Sequence, residues 1–146
     1  ARQAEFDALV VPVGGGALAA AAARFAARAG IPVIGAEPVA AACLTASLEA
    51  GEPVAVPTRG TTMAGLDCAE VSAAAWPDLR AGIAGTVTVT DDEAAAAMRE
   101  LAGNGLFIGE SGAAPLAALR QEGVDLGAAT RVLLVATEGL TGRPPG

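Results

Sequence analysis

A short apolar run that ends in three consecutive glycines is the feature that most constrains the fold of this chain. Residues 8–13 are continuously apolar, as expected for a parallel strand that is buried on both faces. Gly14, Gly15 and Gly16 end the run, and the alanine-rich residues 17–29 favour a helix that stops at Gly30. A strand, a glycine turn and a helix in this order predict the start of a βαβ unit.

The rest of the chain continues the alternation of strands and helices. The strand patterns lie at residues 32–36, 86–89, 106–108 and 132–136, and the helix patterns lie at residues 39–50, 91–102 and 111–121. Thr90 and Glu93 have the spacing of a capping box at the start of one of these helices. The alternation predicts an α/β fold with a doubly wound, three-layer parallel sheet. We expect a single domain over residues 1–141 and a disordered tail at 142–146.

Composition and charge exclude several classes of protein. The 146 residues are 53% hydrophobic, which suffices for one buried core. The formal net charge of -7, without a basic stripe, argues against a nucleic-acid partner. Pro12 and the glycines interrupt the apolar run of residues 9–23, so no membrane-spanning segment is expected. Since no secretory signal is recognised either, we expect a cytoplasmic protein.

Two missing residue types restrict the chemistry of the chain. It contains no histidine, so a Ser-His-Asp triad and histidine metal sites are excluded within it. All 9 basic residues are arginines, and without a lysine the chain cannot form a Schiff base. Cys43 and Cys68 are expected to be free, mostly buried thiols. The first residue is not Met, and we expect the chain to begin inside a longer protein.

The glycine turn is the candidate binding site for an anion. Glycines let backbone N–H groups approach a ligand, and the positive end of a helix dipole favours negative charge. Gly14, Gly15, Gly16, Ala17 and Leu18 are therefore the predicted phosphate cradle.

The pattern of the cradle alone leaves two alternative interpretations open. Gly14, Gly16 and Ala19 satisfy the Gly/Ala form of the dinucleotide fingerprint, and Glu37 ends the next strand near the offset of a ribose-binding acid. An NAD(P)-binding Rossmann-like domain is therefore one alternative. A catalytically inert fragment that binds phosphate weakly is another.

Further motifs resemble those of a pyridoxal-phosphate enzyme family. Residues 12–18 (PVGGGAL) followed by residues 32–38 (PVIGAEP) resemble the serine and threonine dehydratases. Residues 61–68 (TTMAGLDC), with Ser72, Trp76 and Leu79, resemble a segment of the diaminopropionate ammonia-lyases that reads roughly T-x-M-A-G-L-x-C-G-x-P-S-x-x-A-W-x-x-L. Residues 109–114 and 136–139 are similar to later motifs of the same family. Ala69 and Val71 depart from the pattern, where the family has glycine and proline.

The resemblance implies the C-terminal part of a fold type II, tryptophan-synthase-like enzyme that uses pyridoxal 5'-phosphate. Such an enzyme removes ammonia from a small amino acid, such as 2,3-diaminopropionate, serine or threonine, and yields a 2-keto acid. The Schiff-base lysine is expected in an N-terminal part that this sequence lacks. The resemblance also implies a homodimer.

Specific roles are expected for a few residues within this resemblance. Thr137, at the end of the last strand, is expected to meet the pyridine nitrogen of the cofactor, and Glu138 to face either the ring or solvent. Asp67 is the candidate catalytic residue because it could contact the substrate amine. Trp76 is expected in the core or an interface rather than on the cofactor. The metal content is left open, with Glu110 as a weak candidate for an alkali-cation site.

Overall fold

The computed structural model describes residues 5–121 and 131–140. Its strands are β1 (Ala8–Pro12), β2 (Val33–Pro38), β3 (Ile83–Val89) and β4 (Val132–Leu134). Its helices are α1 (Ala17–Ala29), α2 (Cys43–Ala50), α3 (Trp76–Gly82), α4 (Asp91–Gly103) and α5 (Glu110–Leu119). Short 3-10 turns occupy Val39–Ala41 and Ala64–Leu66.

The four strands form one parallel sheet in the order β3-β2-β1-β4. The chain runs outward from β1 through β2 to β3 and returns to the other side of β1 with β4. The strand order therefore reverses between β1 and β4. In open α/β sheets, ligands bind beyond the carboxyl ends of the strands at this reversal.

Helices cover both faces of the sheet, and β1 is buried on both. Leu9, Val11 and Val13 pack on the face that carries α1, α2 and α3. Val10 points the other way and packs with α4 and α5. This alternation explains why β1 is a continuous apolar run, and it confirms the predicted three-layer, doubly wound α/β fold.

Several element boundaries differ from the sequence prediction. The predicted helix at residues 39–50 is a 3-10 turn followed by α2, because Ala42 leaves helical geometry (φ -83, ψ 56) and a new helix begins at Cys43. β3 begins at Ile83 rather than at residue 86. The strand predicted at residues 106–108 is reduced to one antiparallel bridge between Ile108 and Gly139.

The last strand is shorter and more exposed than predicted. β4 ends at Leu134 rather than at residue 136. It lies at the edge of the described sheet, and Leu133 is 41% exposed, so β4 is not buried on both faces. The tail predicted at 142–146 lies outside the described residues.

The capping box at α4 is confirmed: Thr90 Oγ1 accepts from the Glu93 N–H at 3.2 Å, and the Thr90 N–H donates to Glu93 Oε2 at 2.8 Å.

Of the helices in the described residues, none has the length and apolar character needed to cross a bilayer.

Candidate functional site

A pocket of about 250 Å³ lies at the strand-order reversal. Pro12, at the carboxyl end of β1, and the loop from Gly14 to Leu18 line it. Gly65 and Leu66 line it as well, and so does Thr137, which follows β4. The structure thus brings the predicted phosphate cradle and Thr137 to one place.

The three glycines of the cradle differ in whether the fold requires a glycine at that position. A Cβ on Gly14 would come within 2.7 Å of the Gly65 carbonyl oxygen, so the close approach of two backbones requires glycine there. Gly16 has φ +92, and its Cβ would lie 2.7 Å from Leu79 Cδ1. A Cβ on Gly15 would meet no atom within 4 Å. Gly15 is therefore the loop position where a side chain can occupy the pocket without disturbing the fold.

The N-terminus of α1 has the properties of an anion site. Gly16, its N-cap, offers no side-chain acceptor, and the first turn contains no acidic residue. The starts of α2, α4 and α5 differ, since each has a carboxylate that accepts from an amide at the helix start. In the described chain, the first residues of α1 thus line a pocket and have no such carboxylate. These features fit a phosphate group, which backbone N–H groups and the helix dipole stabilise.

Both cysteines pack against the cradle. The Cys43 thiol, at the start of α2, donates to the Gly14 carbonyl oxygen at 3.5 Å. Cys68 Sγ would lie 3.2 Å from a Cβ on Gly14. Burial, together with the nearby Glu37 and Cys68, raises the pKa of Cys43 to about 11. The Cys43 thiol therefore stays protonated at neutral pH and remains a donor to the loop.

Glu138 is half-buried and does not line the pocket. Its Oε1 accepts from the Ser111 N–H at 3.3 Å, at the start of α5. Thr137, its neighbour, is exposed and lines the pocket. A neutral hydroxyl, rather than a carboxylate, is therefore the polar side chain that the segment after β4 brings to the cradle.

Asp67 does not line the pocket. It follows the 3-10 turn of Ala64–Leu66, and its side chain is exposed. Gly65 and Leu66, which do line the pocket, were absent from the predicted site although they belong to the same TTMAGLDC block. The available signal was the glycine within this motif, because the close approach of this segment to Gly14 requires a small residue.

Two other residues that the sequence singled out, Trp76 and Glu110, lie outside the pocket. Trp76 begins α3 and packs, partly buried, against the core on the α1 face, as expected. Glu110 lies beside Asp91, Asp92 and Arg99 in a shallow depression. Among the described residues, no group of three or more Asp, Glu or Cys side chains could hold a metal ion.

Glu37 has a structural role that leaves no oxygen free for a ribose. The residue is fully buried, and its Oε1 accepts from the Leu44 N–H at 2.9 Å while its Oε2 accepts from the Thr45 N–H at 2.7 Å. The Thr45 hydroxyl also bonds to Oε2. Glu37 thus caps α2, and the feature that suggested a dinucleotide is explained by this capping. Burial raises the pKa of its carboxyl above the usual value.

The fold and the site define a doubly wound α/β domain with a glycine-loop pocket at the reversal of strand order. The family described as "Pyridoxal-phosphate dependent enzyme" matches residues 1–138 of the sequence. The chain therefore belongs to this family, whose members depend on pyridoxal phosphate, and its amide-lined cradle fits the phosphate of that cofactor.

Individual relatives agree with this assignment. The biosynthetic L-threonine dehydratase of Escherichia coli (strain K12) is 33% identical over 123 residues, which are 82% of this chain and 24% of the relative. The structure of a threonine deaminase from T.th. matches with a TM-score of 0.82 and 30% identity, over 90% of this chain and 48% of that protein. The structure of diaminopropionate ammonia lyase from Escherichia coli matches with a TM-score of 0.76 and 27% identity, over 93% of this chain and 39% of that protein. The chain spans less than half the length of each.

Proposed function

We propose that this chain is the C-terminal, phosphate-holding part of a pyridoxal-phosphate-dependent ammonia-lyase. Its reaction would be β-elimination from a small amino acid, to give a 2-keto acid and ammonia. The observation that carries the proposal is the pocket in which the Gly14 to Leu18 loop and Thr137 meet. The loop suits a phosphate, and Thr137 offers a hydroxyl to the same pocket.

The cradle would hold the cofactor through backbone amides. Among the described residues no arginine lines the pocket, so the N–H groups of the loop and the dipole of α1 would balance the phosphate charge. When bound, the cofactor supplies an aromatic ring that accepts electron density from the substrate. The task of the chain is then to fix the ring so that its nitrogen faces Thr137.

Thr137 would set the type of reaction. A hydroxyl at the ring nitrogen, unlike a carboxylate, does not keep that nitrogen protonated. With this hydroxyl as its partner, the bound ring would supply a weaker electron sink, which suits elimination. Glu138 does not line the pocket, and its carboxylate accepts from the Ser111 N–H at the start of α5, which supports this assignment.

Asp67 is the proposed contact for the substrate amine. Its carboxylate is exposed and follows directly after Leu66, which lines the pocket. A second amino group, as in 2,3-diaminopropionate, would pair with such an acid better than the hydroxyl of serine or threonine. The likeness of residues 61–76 to the diaminopropionate ammonia-lyases supports this substrate as the first choice.

The remainder of the active site would come from an N-terminal part of the same enzyme. The chain has no lysine, and the reaction needs one to bind the cofactor covalently and to move the α-proton. The pocket, about 250 Å³, is also smaller than the ~300–1,000 Å³ that encloses a whole small ligand. We further propose a cytoplasmic homodimer as the assembled enzyme.

A titration with two glycine variants tests the cofactor site. Gly15→Val fills the cradle, whereas Gly85→Val places the same side chain in open space on β3, away from the pocket. The parent and Gly85→Val should develop the absorbance of bound pyridoxal phosphate, and Gly15→Val should not. Equal binding by Gly15→Val would overturn the cradle assignment. A change of nicotinamide fluorescence with the parent would instead favour the dinucleotide alternative.

A further inference from the structure

The carboxylate of Glu138 is enclosed by glycines. A Cβ on Gly109 would lie 3.2 Å from Glu138 Oε1, and a Cβ on Gly65 would lie 3.6 Å from Oε2. A Cβ on Gly112 would lie 3.1 Å from the Glu138 carbonyl oxygen. Gly109 and Gly112 thus let the start of α5 approach the side chain and the backbone of Glu138 closely, and Gly65 packs against its carboxylate at ordinary contact distance. Such crowding indicates that the place of Glu138 is closely specified.

The start of α5 holds the Glu138 segment at several points. The Gly109 N–H donates to the Glu138 carbonyl oxygen at 3.0 Å, and Ile108 bridges to Gly139. The Ser111 N–H donates to Glu138 Oε1 at 3.3 Å. A carboxylate is favoured there because it lies at the positive end of a helix. In the part of the chain that the structure describes, no ion pair involves Glu138, so the start of α5 is its anchor.

The anchored segment carries Thr137 to the pocket. Thr137 precedes Glu138 directly, and it lies beyond the end of β4, where the sheet no longer fixes the backbone. The hydrogen bonds on the Glu138 side therefore set where the Thr137 hydroxyl stands.

We propose that Glu138 is a positioning residue for the cofactor ring, acting through Thr137. The inference rests on the proposed function and deepens it: Glu138 touches neither cofactor nor substrate, but fixes the hydroxyl that faces the ring nitrogen. Its effect should be confined to the ring end of the pocket, because the phosphate end is formed by the α1 loop.

Two ligands separate the ends of the pocket in the test. Inorganic phosphate reports on the Gly14 to Leu18 loop alone, whereas pyridoxal phosphate also reaches Thr137. Both are titrated against the natural polypeptide that contains these residues, in its cofactor-free form. The variants are Glu138→Ala, Glu138→Gln, Thr137→Val and the Thr137→Val/Glu138→Ala pair. The control is Asp92→Asn, which removes an exposed carboxylate from the first turn of α4.

The expected result is a split between the ligands. Glu138→Ala should raise the dissociation constant of pyridoxal phosphate about tenfold, the effect of one hydrogen bond, and leave that of phosphate within about twofold. Glu138→Gln should restore most of the affinity, since its amide oxygen can accept from the Ser111 N–H. The double variant should bind no more weakly than Thr137→Val alone, because Glu138 acts through Thr137.

Four results would overturn the positioning role. Unchanged affinity in Glu138→Ala would show that Thr137 needs no anchor, and equal losses for both ligands would show general damage to the fold. Additive losses in the double variant would give Glu138 a role of its own. If the parent binds neither ligand, the phosphate site itself is wrong and the positioning role goes with it.

Discussion

The carbonyl oxygen of Gly65 lies against Gly14, where an added Cβ would approach it to 2.7 Å. Two segments that are far apart in sequence therefore meet backbone to backbone at the rim of the pocket. Contact of this kind leaves no room for side-chain adjustment, so the cradle and the Ala64–Leu66 turn behave as one rigid wall.

A first prediction compares alanine at the neighbouring glycines of the cradle. Gly14→Ala should lower the free energy of unfolding by about 1–3 kcal/mol, because the new methyl group overlaps the Gly65 carbonyl. Gly15→Ala meets open space and should change it by no more than about 0.5 kcal/mol. Urea denaturation of the parent and both variants measures the difference. Similar stabilities for the two variants would contradict the close approach.

A second prediction concerns the hydrogen bond between Gly65 and Ser111, which restrains the Ala64–Leu66 turn. The Gly65 N–H donates to Ser111 Oγ at 3.2 Å, and Ser111 is buried. Ser111→Ala should cost about 1 kcal/mol of stability and speed the hydrogen exchange of the Gly65 amide. Thr61→Ala is a useful comparison. Thr61 lies on the same segment as Gly65, but its hydroxyl bonds to Asp91 and not to Gly65. An unchanged Gly65 exchange rate in Ser111→Ala would show that the bond does not restrain the wall.

A third prediction uses the raised pKa of Glu37. Burial favours the protonated carboxyl, so the stability that this group contributes is full below its usual pKa of 4.5 and declines as pH rises through the higher folded value. Glu37→Gln does not titrate and turns one acceptor into a donor that faces an amide of α2. The parent should therefore be the more stable protein, and its advantage should be larger at acid pH than at neutral pH.

Denaturation curves at several pH values measure this difference. Glu49→Gln is the matched control, since Glu49 lies on α2, the helix that Glu37 caps, and is exposed. An advantage of the parent that grows as pH rises would show that the folded pKa of Glu37 is lowered rather than raised.

The sheet and the loop could be predicted because their signals are local. A buried strand is a continuous apolar run, and Gly14 to Gly16 follow it directly. Thr137 was expected at the cofactor because of the family resemblance, and the structure brings it to the pocket that the loop lines. The strand order itself was not evident, and β4 was expected to be buried although it lies at the edge of the described sheet.

The partners of the acidic residues could not be predicted. Glu37 was a candidate for a ribose because it ends a strand, yet its acceptors serve α2, which begins several residues later. Glu138 bonds to Ser111, 27 residues away, and Ser111 bonds to Gly65, 46 residues away. Such pairs depend on the path of the chain through space, and no periodicity in the sequence reports them.

The last prediction follows from the absence of lysine. The 146-residue chain alone can hold pyridoxal phosphate only noncovalently, because it has no side-chain amine that could bind the cofactor aldehyde. Borohydride should therefore fail to fix the cofactor to the chain. Incubation with diaminopropionate, serine or threonine should release ammonia no faster than free cofactor does.

The complementary experiment adds the N-terminal part that is proposed to carry the lysine, either in trans or as one continuous polypeptide. Both covalent trapping and ammonia release should then appear, since the amine that binds the cofactor and moves the α-proton is now present. Changing that lysine to alanine should abolish both, while inorganic phosphate still binds at the Gly14 to Leu18 loop. Turnover by the 146-residue chain well above the rate of free cofactor would contradict this division of the active site, because the basic side chains of the chain are all arginines, which stay protonated at neutral pH.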